Sequence, residues 1–129
     1  MLMLPPSVKV YLATGPVDMR KSIDGLMGVV RAVWREDPYA GHLFVFLSRD
    51  RKRAKILFFD HGGFCVLYKR MEKCRFRIPR MNGETGRGEI DATELAMLLQ
   101  GIDWSRVQRP RLWAPRPVAA PQSGDSKRA

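Results

Sequence analysis

Leu43-Phe44-Val45-Phe46-Leu47, Ser48-Arg49-Asp50-Arg51-Lys52-Arg53, Ile56-Leu57-Phe58-Phe59, His61-Gly62-Gly63 and Phe64-Cys65-Val66-Leu67-Tyr68 follow one another between positions 43 and 68. Three apolar runs joined by short polar turns read as an antiparallel meander. Parallel pairing of these three runs would need long crossovers, and the turns leave no room for them. A fourth strand is predicted at residues 73–78, where Lys73, Arg75 and Arg77 alternate with Cys74, Phe76 and Ile78. Pro79 would end it or mark a sheet edge.

Upstream of the meander, Val8-Lys9-Val10-Tyr11-Leu12 alternates and reads as a further strand, broken at Gly15-Pro16. From Ser22 a helix is predicted. Ile23, Leu26, Met27, Val30, Val33 and Trp34 form its apolar stripe, and Asp37-Pro38 ends it. Downstream, residues 82–88 carry three glycines and read as a loop. A second helix then starts at Asp91, an N-cap with Glu94 at the capping-box position. Leu95, Leu98, Leu99 and Ile102 make its apolar face, and Gly101 suits its C-terminal cap. The expected fold is α+β: an antiparallel sheet, a meander of four to six strands, with the two main helices packed on one face. Residues 1–105 are expected to form a single domain. Residues 106–118 are a Pro/Arg-rich extension and 119–129 a disordered tail.

The 129 residues carry a formal net charge of +10, a balance that attracts polyanions whatever the fold. Residues 51–81 hold ten basic and two acidic side chains, so most of the surplus falls on the meander and its flank. Around the first hairpin turn stand Arg49, Arg51, Lys52, Arg53 and Lys55. Lys69, Arg70, Lys73, Arg75, Arg77 and Arg80 follow. Cationic turns suit backbone phosphates, and a two-stranded ribbon fits the major groove. The competing reading is a solvated face whose charges block edge-to-edge aggregation.

Catalytic patterns are weak. Of the acids Asp18, Asp24, Asp60, Glu72 and Glu89, no spacing singles out a metal-binding triad. Asp60 before Gly62-Gly63 is also ordinary turn chemistry. His42 and His61 have no evident partner, and the loop at 83–88 lacks the Lys-Ser/Thr of a phosphate loop. Cys65 and Cys74 make no disulfide framework or zinc spacing and read as reduced, buried thiols. Phe44, Phe46, Phe58, Phe59, Phe64 and Tyr68 are core residues at strand spacing more often than base-stacking ones. No apolar run reaches the ~20 residues of a membrane helix and no signal peptide is evident, so a cytoplasmic protein is expected.

The order of motifs is itself distinctive. Tyr11-Leu12-Ala13-Thr14-Gly15 precedes Asp18-Met19-Arg20-Lys21-Ser22-Ile23-Asp24-Gly25-Leu26, then Asp37-Pro38 and Gly41-His42-Leu43-Phe44-Val45-Phe46. Lys55-Ile56-Leu57, Asp60, Tyr68-Lys69-Arg70-Met71-Glu72, Arg75-Phe76 and Leu98-Leu99-Gln100-Gly101-Ile102-Asp103-Trp104 complete it. Over about residues 5–105 the chain resembles the small accessory proteins, called TnpB, of insertion sequence sixty-six transposons, which are unrelated to the RNA-guided nucleases of that name. The Asp-Met-Arg-Lys and Gly-His-Leu-Phe-Val-Phe segments are the most specific. The chain departs from the family in Phe58-Phe59, where two tryptophans are common, in Cys74, near a common glycine, and in Ile78, where tryptophan is common.

The resemblance implies a non-catalytic helper in DNA transposition, the catalytic carboxylates belonging to a separate transposase. No enzyme activity, metal or cofactor is expected. The expected partners are DNA, through its phosphate backbone, and the transposase of the same element. Arg20, Lys21, Arg51, Lys52, Arg53, Lys55, Lys69, Arg70, Arg75 and Arg77 are the expected phosphate contacts. Two other readings are a transposase adaptor that touches no DNA and a metal nuclease using Asp60 with Glu72 or Asp18.

Overall fold

The computed structural model describes Pro5, residues 7–78 and residues 86–104. Arg80, Trp113, the 106–118 extension and the 119–129 tail lie outside the described residues. Strands β1 (Val10–Ala13), β2 (Leu43–Leu47), β3 (Arg53–Asp60), β4 (Gly63–Arg70) and β5 (Arg87–Ile90) form one sheet in the order β4-β3-β2-β1-β5. Helix α1 (Ile23–Gly28) runs into a π-helical turn, Val29–Val33, and α2 (Ala92–Leu99) follows β5. The fold is α+β, as expected.

The meander read at residues 43–68 is present as the antiparallel strands β2-β3-β4. Phe44 pairs with Leu57 and Leu47 with Ala54, then Arg53 with Arg70 and Asp60 with Gly63. The β3–β4 turn is the two-residue His61-Gly62, with φ of 47° and 82°. Two left-handed residues in succession are what a hairpin of this hand requires, and glycine takes the second at no steric cost.

The helices do not share a face of the sheet. Along β2, Leu43, Val45 and Leu47 pack with Leu95, Leu98, Phe76 and Trp104, on the side of α2. Phe44 and Phe46 point the other way and pack with Leu26, Val30 and Trp34 from α1 and its π turn. All five β2 residues are buried, because this central strand is covered on both sides. The expectation of two helices on one face is corrected on this ground. One of the four strand pairings, β1 with β2, is parallel, made across residues 14–42 with α1 in the crossover.

Other expectations also change. Residues 73–78 are not a strand; Phe76 alone is fully buried there, and Cys74 is exposed. The chain follows the β2–β3 turn instead, held by Met71 N–H to the Lys52 carbonyl at 2.7 Å and Phe76 N–H to the Arg51 carbonyl at 2.6 Å. Cys65 is exposed as well, because β4 is an edge strand, so the buried-thiol reading is corrected for both cysteines. The glycine-rich loop gives way to β5, which pairs antiparallel with β1 through Arg87, Gly88, Glu89 and Ile90. The π turn rotates less per residue than an α-helix, so Trp34 rather than Val33 falls on the buried side. Ile102 is exposed because α2 ends at Leu99.

Helix α2 starts as predicted. The Asp91 carboxylate accepts from Glu94 N–H at 2.7 Å, and the Glu94 carboxylate accepts from Asp91 N–H at 2.9 Å. Gly101, at φ 76°, takes the left-handed position after the helix. Trp104 folds back into the α2-side core.

Candidate nucleic-acid interface

The basic side chains gather at one end of the sheet, around the β2–β3 turn. That turn is tied down by its own polar groups. The Ser48 hydroxyl, buried, donates to the Asp50 carboxylate at 2.6 Å and accepts from Arg53 N–H at 3.0 Å. Asp50 also accepts from Lys52 N–H at 3.1 Å. These bonds, the Ser48 hydroxyl first and the Lys52 amide second, hold the Asp50 carboxyl below the usual carboxylate range. Arg51 takes a left-handed φ of 58°, an uncommon conformation for arginine that the surrounding bonds maintain.

Two clefts flank this turn and, with a third of about 220 Å³ beside Ala13, Thr14, Gly15 and Pro16, share Arg49. One, about 430 Å³, is lined by Arg49, Asp50, Arg51, Arg75, Arg77 and Asp103, with Phe76 and Ile78 as its floor. The burial of Phe76 turns its neighbours Arg75 and Arg77 outward beside Arg49 and Arg51. The other, about 400 Å³, is lined by Asp18, Met19, Arg20, Ser48, Arg49 and Arg53. Among the described residues, no ion pair joins Arg49, Arg51, Arg53, Arg75 or Arg77 to a carboxylate.

Several acids at this end are already engaged. Asp18 receives the Arg20 guanidinium at 2.8 Å from Nη2 and 3.1 Å from Nε, and the Arg20 amide at 2.9 Å. Glu72 receives Arg70 Nε at 2.9 Å. The Arg20 side chain, then its amide, pulls the Asp18 pKa down to about 2. The folded value lies below the unfolded one, so the interaction is fully present above the ordinary carboxylate range and is lost as pH falls through about 2. An NMR titration of the Asp18 carboxyl is expected to show a midpoint near 2, moving up toward the ordinary range in Arg20→Ala. An unchanged midpoint in that variant would contradict the contact.

The sequence-predicted contacts fall into two groups. Arg20, Arg51, Arg53, Arg75 and Arg77 line the clefts. Lys21 and Arg70 are exposed and Lys52 half-buried nearby. Lys55 and Lys69 have intramolecular tasks. Lys55 Nζ donates to the Met19 and Lys21 carbonyls, each at 2.8 Å, and fastens the 18–21 segment to β3. Lys69 Nζ donates to the Leu99 carbonyl at 2.5 Å, a cation at the negative end of α2. Arg49 is absent from the sequence-derived contacts yet lines both clefts; its place in the same charged turn was the available signal. Arg87, on β5, binds Glu36 and lies over the Tyr11 ring at 5.1 Å.

The acids of the nuclease reading are not brought together. Asp60 stands at the far end of β3 from Arg53, about 23 Å away at strand rise, while Asp18 and Glu72 lie at the Arg53 end. Asp60 instead pairs with His61 at 2.8 Å. His42 Nδ1 accepts from Lys9 N–H at 3.0 Å, a structural bond between chain segments. Among the described residues, no group of three or more His, Cys, Asp or Glu side chains is placed to hold a metal ion. No helix there is long and apolar enough to cross a membrane.

Comparison with known proteins gives a consistent picture. The family described as IS66 Orf2 like protein matches residues 8–109. An uncharacterized protein of Sinorhizobium fredii, y4jC, is 32% identical over 119 residues, covering 91% of this chain and 100% of the relative. A second from the same organism, y4hO, is 37% identical over 118 residues, covering 90% of this chain and 99% of the relative. No solved structure matches the chain.

Proposed function

The chain belongs to the IS66 Orf2-like family, and from that membership and the arginines gathered at one end of its sheet we propose an accessory protein of transposition that holds element DNA by its phosphate backbone. The observation that carries the reading is the set of five cleft arginines, Arg49, Arg51, Arg53, Arg75 and Arg77, without carboxylate partners among the described residues. Guanidinium groups in such a position match phosphate oxygens bidentately and stay charged at any physiological pH. The interface is formed by the β2–β3 turn, the start of β3, the 71–78 segment and the Asp18–Lys21 segment. Lys21, Lys52 and Arg70 extend it. Lys55 and Lys69 support it from behind by fixing the 18–21 segment and the end of α2.

Backbone contact gives binding that is independent of base sequence and sensitive to salt. At ~50 mM salt a duplex of arbitrary sequence is expected to be retained, with most binding lost by ~200 mM in a filter or anisotropy assay. Absence of binding at the lower concentration, or indifference to salt, would overturn the reading. The element's transposase is the second partner that family membership suggests. A pure adaptor would co-purify with the transposase and leave duplex DNA unbound at both salt concentrations.

A further inference from the structure

Strands β3 and β4 carry more than charge on the face that turns toward α1. In their register Arg53 lies directly opposite Arg70, and Lys55 directly opposite Tyr68. Paired residues point to the same side of a sheet, so these four make one strip, with Leu57 and Val66 continuing it under α1. Two features of the strip are unusual for a solvated face. Like charges directly opposite each other repel, and Arg53–Arg70 is such a pair. Tyr68, near the end of the edge strand β4, presents a large aromatic ring that is 52% exposed.

We infer that this strip is a binding site for single-stranded DNA, in which a phosphate sits between Arg53 and Arg70 and the neighbouring base stacks on Tyr68. The inference rests on the nucleic-acid reading above and adds a ligand class to it. Glu72 already takes the Arg70 Nε–H at 2.9 Å, so a phosphate between the two guanidiniums meets Arg70 through its remaining N–H donors together with Arg53. The Tyr68 ring is held ready, because Lys55 lies 5.7 Å from its centroid and is itself anchored by two carbonyls. A base has no such platform in the arginine clefts, where the aromatic lining residue is Phe76, 1% exposed. A paired base inside a duplex cannot reach Tyr68 without leaving its stack, so the site selects unpaired DNA. The other exposed aromatic ring on the sheet side, Tyr39, is packed edge to face against the half-buried Phe59 and Phe64 at 5.0–5.2 Å toward the opposite end of the strands.

The test compares a mixed-sequence single strand, the same strand with abasic sugars, and the corresponding duplex, each by fluorescence anisotropy at low salt. Tyr68→Ala is expected to weaken the normal single strand about five-fold or more and to leave the duplex within about two-fold. Tyr68→Phe and Tyr68→Trp, which keep a stacking ring, are expected to retain wild-type affinity. The abasic strand is expected to bind wild type and Tyr68→Ala alike. Duplex binding with no effect of Tyr68→Ala on the single strand overturns the stacking site alone. Equal losses on single strand and duplex overturn it too, since they mark a general structural effect. Failure of wild type to bind any of the three overturns the nucleic-acid reading beneath it.

Discussion

Phe76→Ala is expected to destabilise the protein by about 3–5 kcal/mol and to weaken duplex binding with it. The ring is 1% exposed and packs with Leu95, Leu98 and Trp104 against β1, β2 and β3. It is the only fully buried side chain of the 71–78 segment among the described residues, and its amide bonds the Arg51 carbonyl. Removing it leaves a cavity and also frees Arg75 and Arg77 from their places beside the turn. Urea unfolding gives the stability change. Phe59→Ala, on a half-buried ring at the other end of β3, is the comparison and is expected to cost less and to leave duplex binding intact. A Phe76→Ala variant within about 1 kcal/mol of wild type would mean that the segment is not anchored by this residue.

Replacing Arg49, Arg51, Arg75 and Arg77 together by alanine is expected to lower duplex affinity about 10²–10³-fold near 100 mM salt. Stability is expected to hold or rise slightly, because these side chains are exposed, make no ion pair among the described residues and repel one another. Lys55→Ala should show the reverse pattern. Its ammonium satisfies two carbonyls, so its loss is expected to cost about 1–2 kcal/mol of stability and only a few-fold in binding. Affinity measured alongside unfolding separates the two classes of cation. Equal losses of DNA affinity in the two variants would place the phosphate contacts elsewhere.

Much of this arrangement was legible in the sequence. The hairpins followed from polar turns between apolar runs, and the capping box from Asp91 and Glu94. The charge surplus lay in the part of the chain that forms the β2–β3 turn and the segment beside it. The errors have physical causes. Leu43-Phe44-Val45-Phe46-Leu47 shows no alternation, which is the mark of a strand covered on both faces. Weighing that property would have put the two helices on opposite sides. In residues 73–78 the charge alternation mimics a strand, yet only Phe76 has a deep place to go, and the backbone bonds the turn rather than a neighbouring strand. Strand β5 was masked by Gly86 and Gly88, and a short edge strand with one buried residue leaves little pattern to read. Sequence also cannot distinguish a cation facing solvent from one facing a carbonyl. Lys55 and Lys69 look like Arg53 and Arg70 along the chain, and only the fold brings Met19, Lys21 and Leu99 to them.

The slope of log affinity against log salt, measured for the same duplex with wild type and the four-arginine variant, tests the phosphate interface most directly. Every phosphate that is no longer neutralised by an arginine is expected to make the slope shallower by about 0.9, so four cleft arginines predict a difference of about 3–4. Parallel lines would contradict the account, because the arginines of the β2–β3 turn and the 71–78 segment would then be touching no phosphate.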